Sequence, residues 1–232
     1  MRYAFAGMAL LAATPAAASD PVLDEAVEFT AQIFQIDTGV PGLVIAAVRN
    51  GESAVFGFGE VAKGSGEEPD GDTVIGVGSL TKSFTGLALA ALAEEGTVSL
   101  TDPVGPHAGV VPALPEKDGQ QIRLIDLATQ ASGLPRELVD VEGVEKYSDQ
   151  SFAANLSENS LLFAPGSGIA YSNVGFDVLA MALSNIAGEA YPDLLKAKVL
   201  DRIGLTATSY DRPAGENVMV GYDWDGNEMD PG

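Results

Sequence analysis

Residues 76–86 read GVGSLTKSFTG. Ser79 stands just before Thr81–Glu95, TKSFTGLALAALAEE, whose composition predicts a helix stopped by Gly96. That helix is nearly all Ala, Leu and Gly, which predicts burial on most of its sides. Lys82 follows Ser79 by three positions, a spacing that places both on one helical face. Free backbone N–H groups and the helix dipole favour negative charge at such an N-terminus, so an alkoxide on Ser79 would be stabilised there. An amine withdrawn from water can relay the serine proton, and no acid lies near Lys82 in the sequence. The pair would form an activated nucleophile without histidine. The competing reading is an N-cap serine followed by a surface lysine. Ser-x-x-Lys arises about once by chance in a chain of this length, so its meaning depends on the rest of the sequence.

Upstream, residues 21–36 carry apolar side chains at helical spacing behind Pro21. GLVIAAVRNGESAVFGFGEV then gives two β-type runs joined at Asn50-Gly51, a hairpin signal. One hairpin is not a stable sheet, so helices must cover it or further strands must join it. Downstream, IRLIDLATQASGLP predicts a short helix ending at Gly133, and residues 136–164 read as irregular to helical. A long helix is predicted over Asn173–Ala187, stopped by Gly188, and another over YPDLLKAKVLDRIGL. The last 20 residues show no convincing element. The expected class is α+β.

The chain has 232 residues, 46% hydrophobic and 19% charged, enough to bury a substantial core. Its formal net charge of -21 repels phosphate backbones and argues against nucleic-acid binding. It has no cysteine, which excludes disulfides, thiolate metal sites and a cysteine nucleophile. Residues 1–18, with Arg2, an apolar run over Ala4–Ala13 and Ala16-Ala17-Ala18, resemble a cleaved secretory signal. The run is too short to span a bilayer, and no later segment reads as a membrane span. An exported chain without disulfides fits a bacterial periplasm or cell surface.

A second motif is Tyr171-Ser172-Asn173, in a turn before the long helix. A tyrosine there could share a proton with Ser79 and Lys82. An asparagine two residues on could donate to a substrate amide carbonyl. Alone, it could equally be a packed tyrosine beside a helix cap.

Taken with their flanks, these motifs resemble the serine β-lactamase and penicillin-binding-protein superfamily, in its class C β-lactamase-like branch. The likeness runs from about residue 38 to 225, through GSLTKSFTGLALAALAEEGTVSLTDPV, LATQASGLPRE, APGSGIAYSNVGFDVLAMALSNIAGEAY and LLKAKVLDRIGLTATSY. LATQASGLPRE and AYSNVGFDVLA look most like its D-alanyl-D-alanine carboxypeptidase/endopeptidase members. The resemblance implies a helical domain beside an antiparallel sheet, and no metal or organic cofactor. It implies that Ser79 is acylated, that Lys82 and Tyr171 share the proton transfers, and that Asn173 orients the acyl-amide chain of the substrate. The implied substrates are peptidoglycan stem peptides or β-lactams.

The resemblance also has gaps. A third motif, Lys-Thr-Gly or His-x-Gly on a strand, is expected well after Tyr171. His107-Ala108-Gly109 matches the letters but falls between the first two motifs, so His107 reads as an ordinary loop residue. Residues 19–232 are therefore expected to be a partial domain lacking C-terminal strands and a helix, marginally stable and weakly active or inactive. Leu138 stands where class C β-lactamases tend to carry a polar side chain, an argument against efficient β-lactam hydrolysis. A β-lactamase or esterase and a non-catalytic binding protein stay open beside the peptidase. An α/β-hydrolase fits poorly, because no Gly-x-Ser-x-Gly occurs and the lone histidine is badly placed for a triad.

Overall fold

A computed structural model describes residues 20–107, 114–145, 148–156, 160–213, 215 and 217–229. The signal segment read over residues 1–18 lies outside the described residues. The chain forms two compact units, residues 1–76 with 213–232, and residues 77–212.

In the first unit, α1 (Pro21–Thr38) begins where the Asp20 carboxylate accepts the Val22 N–H at 3.0 Å, with Pro21 opening the first turn. Gly39, at φ 65°, ends it. β1 (Gly42–Arg49) and β2 (Glu52–Gly59) pair antiparallel, Gly42 opposite Gly59 and Arg49 opposite Glu52. The two-residue loop takes positive φ at both positions, 54° at Asn50 and 86° at Gly51, the geometry that Asn-Gly adopts most readily. α1 lies against both strands and buries Val27 and Ala31, while Ala54 is buried on β2. A helix thus covers the hairpin. Val22, Phe29, Ile33 and Ile36 of the same helix are exposed.

The last residues are more ordered than their sequence predicts. Val74 donates its N–H to Asn217 O at 3.0 Å, and Met219 returns one to Val74 O at 2.8 Å. β3 (Gly221–Tyr222) and β4 (Glu228–Met229) then pair around Asp223, whose carboxylate accepts the Asp225 and Asn227 N–H groups. Two-residue strands carry no periodicity, and the bond between Thr73 and Asn217 joins positions 144 apart. Neither feature leaves a local signal.

In the second unit, α2 (Thr81–Glu94) is buried along one face only, through Thr85, Ala88, Leu89, Ala91 and Leu92, while Ser83, Leu87 and Ala90 are exposed. Composition overstated its burial. α3 (Leu124–Ala128) stops five residues short of the predicted Gly133. The chain leaves the helix at Gln130, which turns left-handed at φ 61°, with Ala131 N–H closing back on Asp126 O at 2.7 Å; beyond it Ala131 O accepts from Gly166 and Gly133 O from Leu162. α4 (Asp149–Asn155) lies in the stretch read as irregular to helical. α5 (Asn173–Ala187) matches its predicted span, capped by Ser172, whose hydroxyl accepts the Gly175 N–H at 2.8 Å, and ended by Gly188 at φ 70°. α6 (Tyr191–Leu195) continues as a π-helical turn, Lys196–Leu200, ending before the predicted Leu205.

α5 is the centre of this unit's core. Its Val178, Leu179 and Leu183 are fully buried among Leu89, Leu127 and Leu194. Each such side chain contributes roughly 1.5–3 kcal/mol by leaving water. That packing fixes α2 against α5, and both motifs stand at the starts of these two helices.

Candidate active site

Ser79 sits in a 3-10 turn, Gly78–Leu80, immediately before α2. Gly78 adopts φ 51° there; an added Cβ would meet nothing within 4 Å, so the backbone conformation rather than space requires glycine. Leu80, not Ser79, is the N-cap, and no side chain makes the capping bond. The cap reading of Ser79 therefore fails. Its hydroxyl instead lies 2.6 Å from Tyr171 Oη, and Lys82 Nζ donates to it at 3.4 Å. The structure brings these three predicted residues together across 92 positions of sequence.

Tyr171 is delivered by the turn that leads into α5. Its neighbour Ser172 is fully buried; its hydroxyl donates to Pro135 O at 2.6 Å and accepts from Gly175. The middle residue of Tyr-Ser-Asn is thus a true helix cap, and the outer two point elsewhere. Asn173, the first residue of α5, donates through Nδ2 to the Glu137 carboxylate, while its Oδ1 is buried without a partner. One Nδ2 hydrogen is held by Glu137 and the second is left over.

The site's electrostatics favour anions on Tyr171. Its phenol is held below the ordinary tyrosine range, first by the Ser79 hydroxyl and then by Lys82; burial opposes them, and the charges of Lys82 and then Arg136 add smaller attractions. Lys82 Nζ lies 5.1 Å from the Tyr171 ring centroid and 5.5 Å from that of Phe176. No acid lies near Lys82 in the sequence, but the fold places one within its electrostatic influence: Asp177, one turn beyond Asn173 on α5. Burial pushes its carboxyl up to about 6, Lys82 opposes the shift, and Glu137 reinforces it.

Four residues escaped the sequence reading. Asp177 was legible in principle, because Asn173-x-x-x-Asp177 repeats one helical face. Arg136, Glu137 and Gln130 arrive from a loop whose path no local pattern predicts. Leu138, read as a departure from the class C β-lactamase pattern, is only 3% exposed and belongs to the core. From that segment it is Glu137 that reaches Asn173. His107 lies in a 3-10 turn where its backbone carbonyl accepts from Asn185. The rest of that three-residue match lies outside the described residues. Among the described residues, no cluster of three His, Cys, Asp or Glu could hold a metal ion, and no helix is long and apolar enough to cross a membrane.

Comparison with known proteins identifies the family of the chain. The chain is 34% identical over 178 residues to the D-alanyl-D-alanine-carboxypeptidase/endopeptidase AmpH of Escherichia coli strain K12, covering 75% of this chain and 46% of that one. It therefore spans just under half of this relative's length. Among solved structures, a β-lactamase/D-alanine carboxypeptidase from Yersinia pestis superposes with TM-score 0.71 at 30% identity, over 84% of this chain and 57% of that one. The D-alanine carboxypeptidase AmpC of Burkholderia cenocepacia gives 0.73 at 25% identity, over 90% and 57%. The Beta-lactamase family matches residues 20–229, nearly all of the described chain, and the protein belongs to that family.

Proposed function

We propose that this chain is the active-site-serine part of an exported, periplasmic hydrolase that acts on peptides ending in D-Ala-D-Ala. The observation that carries the reading is the hydroxyl of Ser79, 2.6 Å from Tyr171 Oη and within 3.4 Å of Lys82 Nζ. In acylation, the Ser79 proton passes to the Tyr171–Lys82 pair as its oxygen bonds to the substrate carbonyl carbon. The tetrahedral adduct collapses, the amide C–N bond breaks, and the same pair returns a proton to the departing amine. Water then attacks the acyl-serine, losing its proton to that pair; the acyl C–Oγ bond breaks, the pair returns the proton to Ser79 Oγ, and the acid is released. The free Nδ2 hydrogen of Asn173 would hold the acyl-amide carbonyl of the substrate. The 34%-identical relative is a D-alanyl-D-alanine-carboxypeptidase/endopeptidase, which supports this substrate class, and residues 1–18 support export.

The test is labelling with a fluorescent penicillin, read as intact-protein mass, with Ser79→Ala as control. One adduct per chain, absent from the variant, is the expected result. Labelling that survives Ser79→Ala would overturn the assignment. Comparing a D-Ala-D-Ala peptide, a chromogenic cephalosporin and a short-chain aryl ester then separates peptidase from β-lactamase and esterase.

A further inference from the structure

Arg136 follows Pro135 in the loop beside the start of α5. Its backbone is fixed there, its carbonyl accepting the Asn173 N–H at 2.9 Å. Its side chain is 69% exposed and places the guanidinium carbon 4.9 Å from the Tyr171 ring centroid. Lys82 Nζ is 5.1 Å from the same centroid. Two cations thus face one phenol whose oxygen touches the Ser79 hydroxyl.

Several other cations of this unit are engaged elsewhere. Arg123 pairs with Asp126 at 2.7 Å, Lys196 with Asp201, and Lys198 and Arg202 with Glu95. Lys117 donates to Leu161 O. Arg136 has only a 3.9 Å approach to its neighbour Glu137, whose carboxylate already receives Asn173. Arginine suits an aromatic face because its charge is permanent, planar and weakly hydrated.

We propose that Arg136 is a positioning residue for Tyr171, seating the ring and favouring its phenolate when it takes the Ser79 proton. The inference rests on the proton-transfer role proposed above. The groups that act directly on Tyr171 are Ser79 and Lys82 at the start of α2 and Arg136 from the loop; beyond them stand two carboxylates, Glu137 bound to Asn173 and Asp177 of α5, which feels the charge of Lys82. The two carboxylates oppose a phenolate and the two cations favour it. Removing Arg136 therefore makes Tyr171 harder to ionise, so its titration and the acid limb of acylation both move to higher pH.

The test follows Tyr171 itself. Protein carrying [ζ-13C]tyrosine is titrated by NMR, with the Tyr171 resonance identified by its loss in Tyr171→Phe. Arg136→Gln is expected to titrate at higher pH than wild type, Arg136→Lys to move less in the same direction, and Arg202→Gln to match wild type. An Arg136→Gln midpoint equal to wild type would overturn the proposal. So would an equal displacement by Arg202→Gln, which would mark a net-charge effect. No substrate is involved, so this result is independent of penicillin labelling: a normal shift without acylation counts against the hydrolase reading, and acylation without a shift counts against Arg136.

Discussion

Gln130 clamps the backbone on both sides of Tyr171. Its carbonyl accepts the Ala170 N–H at 3.0 Å, and its side-chain Oε1 accepts the Ser172 N–H at 2.7 Å. It does so from a left-handed conformation, φ 61°, rare for a residue with a Cβ and sustained here by those two bonds. Gln130→Ala would leave the N–H of fully buried Ser172 without its acceptor, at a cost of about 1–3 kcal/mol. The expected outcome is a lower urea midpoint and penicillin acylation slowed roughly tenfold. Gln130→Glu, which keeps an acceptor, should restore most of both. An Ala variant that acylates at the wild-type rate would show that the clamp does not govern Tyr171.

Gly133 holds the same loop against residue 163. At φ 77°, a Cβ there would stand 2.4 Å from Phe163 O, inside any tolerable contact. Gly133→Ala combines left-handed strain of about 1–2 kcal/mol with displacement of that backbone. Gly188→Ala, at φ 70° with nothing within 4 Å, should cost only the strain. Paired denaturation curves check this, and equal losses would refute the steric argument.

Asp177 links stability to pH. Its folded-state carboxyl, pushed up to about 6, lies above the ordinary 3.8, so the folded state holds the proton more tightly than the unfolded chain. That stability is present in full below about pH 4 and is lost as pH rises to about 6. Asp177→Asn should therefore be the more stable protein at pH 7, by on the order of 1–3 kcal/mol, with the advantage shrinking toward pH 4. A stability difference independent of pH would contradict it.

Leu179 is fully buried at the centre of α5. Leu179→Ala should destabilise by about 2–5 kcal/mol through lost transfer energy and the cavity left behind. Exposed Leu87 on α2, changed to Ala, should shift the midpoint by less than about 0.5 kcal/mol, as surface sites do. Thermal or urea unfolding of both variants checks the direction in which each helix faces.

Elements written in local chemistry were legible without coordinates. Asn50-Gly51 specified the hairpin because both positions need positive φ, and Gly188 and Ser172 bounded α5 because helix ends need a left-handed residue and a side-chain acceptor. The i,i+3 spacing likewise put Ser79 and Lys82 together at one helix start. Tertiary structure alone decided what surrounds them. Whether α2 was buried on most sides or one depended on what packs against it. α3 ended early because Gln130 turns left-handed, held there by its bonds to Ala170 and Ser172. Gln130, Arg136 and Glu137 reach the Tyr171–Asn173 turn from a loop distant in sequence, and Asp177 of α5 feels the charge of Lys82 of α2. A backbone torsion or a cap is settled by neighbours a few residues away, whereas burial, charge pairing and proton affinity depend on which distant groups share the same space.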